Sequence, residues 1–259
     1  MPVDWDEMQK EMYPIKDYDA LRQRWQDAFS YSFVCETYNF TMPEIADYTQ
    51  RLLGEDPRKR YEEYSQKLVE TFNQLHQASV RDIMDLVAQV DTCKQFEMFT
   101  DQSKVHARDA IAVLKYLAYW VIPTKKYLSG LVMKDASIIE AIKALRNFEI
   151  RTNLDILQRG LTSTDRKALA ETSGLTEKEI NEIANRADFS RMPWASKATI
   201  SNIIGAGYGS IAELANANLE QLQQDFHRYG VSIGKNLKFG NEIESSYRIA
   251  KIIPLILIE

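Results

Sequence analysis

The chain has 259 residues, 45% hydrophobic and 27% charged, which excludes a disordered polymer and suits one large or two ordinary globular domains, each able to bury a core. With only 10 Gly and 7 Pro there are few turn-formers for a many-stranded protein, so an all-α fold is expected. The net charge of −5 is uneven: residues 1–150 hold 19 Lys and Arg against 24 Asp and Glu, residues 151–259 hold 13 of each, and neither half has the basic excess on which duplex binding depends.

The N-terminus is acidic and lacks the basic-then-apolar layout of a signal peptide. Helical spacing begins near Asp17, where Leu21, Trp25, Ala28, Phe29 and Phe33 form one apolar face. Thr41-Met42-Pro43-Glu44 supplies a cap, an early proline and a carboxylate three after the cap, announcing a helix over Ile45 to Leu53. Further helices are predicted from Asp56-Pro57 to about His76, from the Ser79–Asp82 stretch through Val90, and from Lys104 to Ile122, stopped by Pro123. The Ala110–Ile122 stretch is apolar on nearly every face, which places it at the centre of an N-terminal bundle; Lys115 interrupts it, and it is too short for a membrane span of ~20 residues. Thr124 and Ser137 read as caps of two more helices, the second running through Ile138, Ile142, Leu145 and Phe148. The pattern changes near Glu149–Thr152, giving domains at 1–150 and 151–259 that pack directly together, with no flexible linker between them.

Beyond that change, Thr152 and Asp155, Thr162 and Asp165, Thr176 and Glu179, and Ser210 and Glu213 each put a capping hydroxyl three residues before a carboxylate that reaches back to the cap amide. Many short helices with sharp turns follow from that density. The tail Ile249–Ile258, broken by Lys251 and Pro254, reads as a short strand or extended arm whose Leu255 and Leu257 want a partner.

Asn153–Leu157, Asp165–Leu175 and Asn185–Phe189, followed by Arg191-Met192-Pro193 and the Ile203–Leu214 segment, resemble the helix-hairpin-helix superfamily and, within it, the uncharacterised tandem family called domain of unknown function 4332, over about residues 150–254. The resemblance implies a tandem helix-hairpin-helix domain after the helical bundle. In nucleic-acid-binding members of that superfamily, two glycines in the hairpin let backbone amides approach a phosphate at a helix N-terminus. Here those positions hold Trp194 and Ser196. A tryptophan crowds the approach, whereas Ser196 caps the next helix and leaves amides for an anion, with Arg191 and Lys197 as flanking cations. Gly205, Gly207 and Gly209 read as a helix stop rather than a phosphate cradle, since no strand precedes them and no Gly-Lys-Ser/Thr follows.

Residues able to carry chemistry do not assemble. His76, His106 and His227 fall on different predicted helices without a second histidine at metal-ligand spacing. Cys35 and Cys93 are isolated and read as buried thiols, Cys93 with Lys94 and His106 being an unpersuasive activated thiol. Glu62-Glu63 and Glu242-x-Glu244 read as solvated helix faces, and Arg58-Lys59-Arg60 is followed by acids within a turn. The many aromatics before residue 130 lie in the acidic half and read as core packing and a protein interface rather than a base-stacking surface. The expectation is a non-enzymatic cytoplasmic protein without metal or cofactor: an adaptor or structural subunit of a larger assembly, contacting protein through Trp194, Tyr208, Leu255 and Leu257. The alternative is a nucleic-acid binder using Arg191, Ser196 and Lys197 as phosphate ligands. Trp194 itself has two readings, an exposed hairpin tip that anchors a partner or a core residue folded between the hairpin helices.

Overall fold

A computed structural model describes residues 3–54, 60–133, 135–237 and 240–258. The proposed helix start at Asp56-Pro57, the Arg58-Lys59-Arg60 cluster and the side chain of Glu242 lie outside that description. The chain is all-α: sixteen α-helices, with no strand and three isolated β-bridges among the described residues. It divides into two compact units, 1–124 and 125–259.

The first unit holds α1 (Trp5–Met12), α2 (Tyr18–Phe29), α3 (Ser32–Tyr38), α4 (Met42–Thr49), α5 (Arg60–Gln77), α6 (Ile83–Gln89), α7 (Cys93–Ser103) and α8 (Ala107–Tyr116). Asp17 caps α2 as its position predicts, accepting from the Ala20 N–H at 2.8 Å. Thr41 and Glu44 form the expected reciprocal capping box, with α4 starting at Met42. The Ala110–Ile122 stretch is central: Ile111, Val113, Leu114, Tyr116 and Leu117 are buried, and α8 packs on α1 and α5. Lys115 escapes the apolar surroundings by donating to the Glu11 carbonyl at 2.8 Å. The helix then loosens into a π turn, Leu117–Val121, and stops because the residue before Pro123 is pushed to extended backbone, with Ile122 at ψ 126°. Many of the N-terminal aromatics are core, among them Trp25, Phe33, Tyr38, Phe72, Phe96 and Tyr116, while Tyr13 is exposed and several others are half-buried. Trp5, Tyr18 and Phe96 have ring centroids 5.2 to 5.6 Å apart, and the Tyr18 hydroxyl donates to the Val90 carbonyl at 2.6 Å.

The second unit holds α9 (Ala136–Leu145), α10 (Asn153–Arg159), α11 (Ser163–Ser173), α12 (Glu177–Phe189), α13 (Lys197–Gly205), α14 (Ile211–Asn216), α15 (Leu219–Ser232) and α16 (Gly240–Ala250). Two sequence expectations change here. Thr124 caps no helix, and α9 is capped by Asp135, which accepts from the Ile138 N–H, while Ser137 bonds Glu179 instead. The change of pattern near residue 150 lies inside this unit, because α9, which precedes it, packs on α12.

An internal repeat runs through this unit. Before α9, Gly130 N–H donates to Tyr127 and Leu131 N–H to Leu128; before α13, Arg191 N–H donates to Asp188 and Met192 N–H to Phe189. Asp135 and Ser196 then cap the two helices alike. At their far ends, Glu149 and Gly207 take the left-handed conformation (φ 60° and 103°), and Ile150 and Tyr208 donate back to Leu145 and Ile203. Thr152 and Ser210 open α10 and α14. The glycine-rich segment is thus a Schellman-type helix stop. Three of the four anticipated capping boxes are reciprocal. In the fourth, Glu213 accepts from Gly209 N–H at 2.6 Å.

Buried polar side chains tie the two repeats together. Asn153 donates to the Ser190 hydroxyl at 2.9 Å and accepts from Lys126 N–H, and the Lys126 ammonium donates to the Ser190 carbonyl at 2.7 Å. Burial holds the Lys126 pKa below its ordinary value.

Candidate functional site

The turn joining α12 to α13 carries most of the residues singled out from the sequence, and the fold sorts them sharply. Along it, Arg191, Met192 and Pro193 are buried, Trp194 is exposed, Ala195 is buried again, and Ser196 and Lys197 are exposed. The inversion at Trp194 has a backbone cause. Its φ is 61°, a left-handed conformation that bulky residues rarely adopt, and it turns the indole outward while Met192 and Ala195 fill the inside. The indole is 52% exposed, so the tip reading of Trp194 describes its position and the core reading does not. The corresponding turn before α9 also presents a large apolar side chain, Met133, at 36%. Sequence reasoning missed that first turn.

Arg191 is not a surface cation. Its side chain is 1% exposed and pairs with Asp188, itself 4% exposed, with Nε donating to Asp188 Oδ1 at 2.7 Å and a terminal nitrogen donating to the Pro254 carbonyl at 3.0 Å. Burial pushes the Asp188 carboxyl above its ordinary value, with Arg191 and then Arg166 pulling it back. The phosphate-ligand expectation for Arg191 is therefore corrected: the guanidinium is spent on the carboxylate and on the C-terminal tail. Ser196 and Lys197 remain at the surface. Ser196 accepts from Thr199 N–H at 3.1 Å, so it works as the cap of α13.

The tail is fixed to this unit rather than loose. Arg166, 9% exposed, donates to the Gly160, Leu161 and Ile258 carbonyls and to Asn181. Ile258 forms a parallel bridge to Thr162, donating to Leu161 at 2.9 Å and accepting from Ser163 at 3.0 Å. With Pro254 held by Arg191 and Ile258 by Arg166, the tail is an extended arm clamped at both ends. Ile256 faces inward, Leu257 is half-buried, and Leu255 and Ile258 are exposed at 59% and 62%. The Arg191 bond thus attaches the residue before Leu255 to the turn that presents Trp194. Tyr208 belongs elsewhere. It is half-buried and donates to Asp225 on α15 at 3.0 Å, and burial with that bond pushes its pKa up to about 12.

The order of these segments in the second unit can be compared with known families. Residues 137–239 match the domain of unknown function (DUF4332). The DUF4332 match begins in α9 and ends just before α16, so it takes in both repeat helices α9 and α13 and starts upstream of residue 150, where the sequence resemblance had been placed. No curated protein and no solved structure matches the chain.

Outside the DUF4332 segment, chemistry-bearing residues have structural duties or stand apart. His106 caps α8, its Nδ1 accepting from Arg108 N–H at 3.3 Å. Cys35 donates to the Phe29 carbonyl at 3.1 Å. Cys35 is half-buried and Cys93 exposed, which corrects the buried-thiol expectation, and partial desolvation of the Cys93 sulfur together with nearby Asp19 pushes its thiol pKa up, opposite to activation. Among the described residues no three His, Cys, Asp or Glu side chains are grouped so as to hold a metal ion, and no helix is long and apolar enough to cross a membrane.

Proposed function

We propose that the second unit is a non-catalytic docking module: an adaptor or structural subunit that binds a protein partner on the α12–α13 turn and the adjoining arm, with Trp194 the main contact and Leu255 a second. The observation that carries this reading is the half-exposed indole held at φ 61°. A left-handed conformation costs a non-glycine residue roughly 1–2 kcal/mol, and strain of this kind collects where a side chain has to be presented. Tryptophan is the side chain most enriched among interface residues that dominate binding energy. Tyr208, already bonded to Asp225, and the half-buried Leu257 contribute less in this account than the sequence suggested.

Nucleic-acid binding is the competing reading, and it rests on Ser196 and Lys197 at the start of α13. It loses support with Arg191 buried in an ion pair. The two readings part in one experiment: titration of the full chain with duplex and single-stranded oligonucleotides across salt concentrations, beside affinity capture of proteins by the same preparation. The docking account expects a protein retained by the wild type and lost with Trp194→Ala, together with weak oligonucleotide binding that Lys197→Ala leaves unchanged. Tight binding to oligonucleotide that falls steeply with salt and is lost with Lys197→Ala would overturn it.

A further inference from the structure

A second surface of the same unit carries an unassigned pocket of about 350 Å³, lined by Tyr127, Ser129, Ile142, Arg146 and Arg151. Its walls come from parts fixed by backbone bonds. Tyr127 bridges Thr152, with Leu128 N–H donating to Arg151 at 3.0 Å and Asn153 N–H to Lys126 at 2.9 Å, so residues 127–129 are clasped against Arg151. Ile142 and Arg146 lie one turn apart on the same side of α9 and its 3₁₀ extension, where side chains four apart are neighbours. Ile142 is buried, while both arginines, Tyr127 and Ser129 are exposed. Neither guanidinium has a carboxylate at ion-pair distance among the described residues, and no acidic side chain lines the pocket. Glu149, the carboxylate nearest in sequence, is exposed and pairs with neither arginine, and Asp155 accepts from the Arg151 and Thr152 N–H groups.

An arginine at the end of α9 has an ordinary structural explanation, since a cation there complements the helix dipole. That explanation covers Arg146 and leaves Arg151, which lies beyond the helix on the clasp. Two arginines without a carboxylate partner among the described residues, each guanidinium a rigid fork of donors suited to bidentate binding of a phosphate, line one hollow together with a tyrosine, a serine and the buried Ile142. We propose that this pocket binds a phosphate monoester: the dianionic phosphate between Arg146 and Arg151, and its organic group against Ile142 and the Tyr127 ring. The volume lies within the roughly 300–1,000 Å³ of small-ligand sites. No residue of the α12–α13 turn lines the pocket, so the proposal does not rest on the docking reading of Trp194.

The test is titration of the full chain, followed by amide chemical shifts, with phenyl phosphate, with benzenesulfonate as a monoanion of similar shape, and with a short phosphoserine peptide. Phenyl phosphate is expected to shift residues around 127–129 and 142–151 and to bind more tightly than benzenesulfonate. Arg146→Gln and Arg151→Gln should each weaken binding about tenfold, the loss of a charge-assisted bond, at unchanged melting temperature. Trp194→Ala should leave it unaltered. Tighter binding of the peptide than of phenyl phosphate supports the site with a phosphorylated side chain as its source, and the reverse order supports it with a free organophosphate. No shift at millimolar phenyl phosphate, equal affinity for benzenesulfonate, or full binding by both arginine variants would overturn the proposal.

Discussion

Replacing Arg191 by methionine separates a structural arginine from a phosphate ligand, because the two roles predict opposite results. The substitution removes the partner of a carboxylate that is only 4% exposed and withdraws the donor to the Pro254 carbonyl. Breaking a buried pair from one side leaves an uncompensated charge and costs about 3–5 kcal/mol. The Pro254 carbonyl adds about 1 kcal/mol if it stays dry. The loss should depend on pH in a definite direction. Burial already raises the Asp188 pKa, and without Arg191 it rises further. A carboxyl whose folded pKa lies above its unfolded value contributes stability that is fully present below the unfolded value and is lost as pH rises through the folded one. Arg191→Met should therefore be most destabilised near pH 7 and recover toward wild type below pH 4. The double variant Asp188→Leu with Arg191→Met, which removes both charges, should lie within about 2 kcal/mol of wild type at pH 7. Urea unfolding at several pH values, with amide exchange of α12 and the tail to localise the effect, reads all three quantities. Wild-type stability for Arg191→Met at pH 7 would refute the reasoning, and loss of oligonucleotide binding at unchanged stability would reinstate the phosphate role.

At the turn itself, Trp194→Gly should be more stable than Trp194→Ala by about 0.5–1 kcal/mol, since glycine escapes the left-handed penalty and gives back part of the gain as unfolded-state entropy; paired thermal melts check the order, and alanine being the more stable would show that the strain is absent. Arg166→Met should cost about 3 kcal/mol and free the arm, seen as faster amide exchange at Ile258, because one buried guanidinium serves three carbonyls and Asn181. Gly230→Ala should destabilise by about 1–3 kcal/mol in urea melts, as a Cβ there would stand 2.8 Å from the Lys235 carbonyl oxygen. The capping carboxylates Glu44, Asp165 and Glu179 have pKa values lowered mainly by their bonds to Thr41, Thr162 and Thr176. The stability they add is present above their ordinary pKa and lost as pH falls through the lowered one, so Glu179→Gln should flatten the melting-temperature profile between pH 5 and 3.

What the sequence disclosed was what is local. A capping hydroxyl and a carboxylate three residues later need only each other, and so Thr41, Thr152, Thr162 and Thr176 were legible, as was the helix stop at Gly207. Glu213 departed because a competing N–H, that of Gly209, lay within its reach. The burial of Arg191 was not legible, since it depends on Pro254 returning from the far end of the chain. The internal repeat was hidden for another reason. Asp135 and Ser196, Met133 and Trp194, and Glu149 and Gly207 do equivalent work with different side chains, so geometry repeats where residue identity does not. The short helices α1 and α7 also went unread, although α1 carries an Asp4 cap and an acidic first turn, and the break between α2 and α3 was missed because α3 has no side-chain cap to announce it.

The docking role of the α12–α13 turn is tested most directly by photocrosslinking. A photoreactive phenylalanine analogue is placed at position 194 of the full chain, and at exposed Val231 on α15 as a control, and adducts formed in living cells are identified together with the melting temperature of each variant. The account predicts one dominant protein adduct from position 194, absent from the control and suppressed by excess wild-type chain but not by Trp194→Ala, with both variants folded. Nucleic-acid adducts at position 194, or the same adduct from both positions, would contradict it.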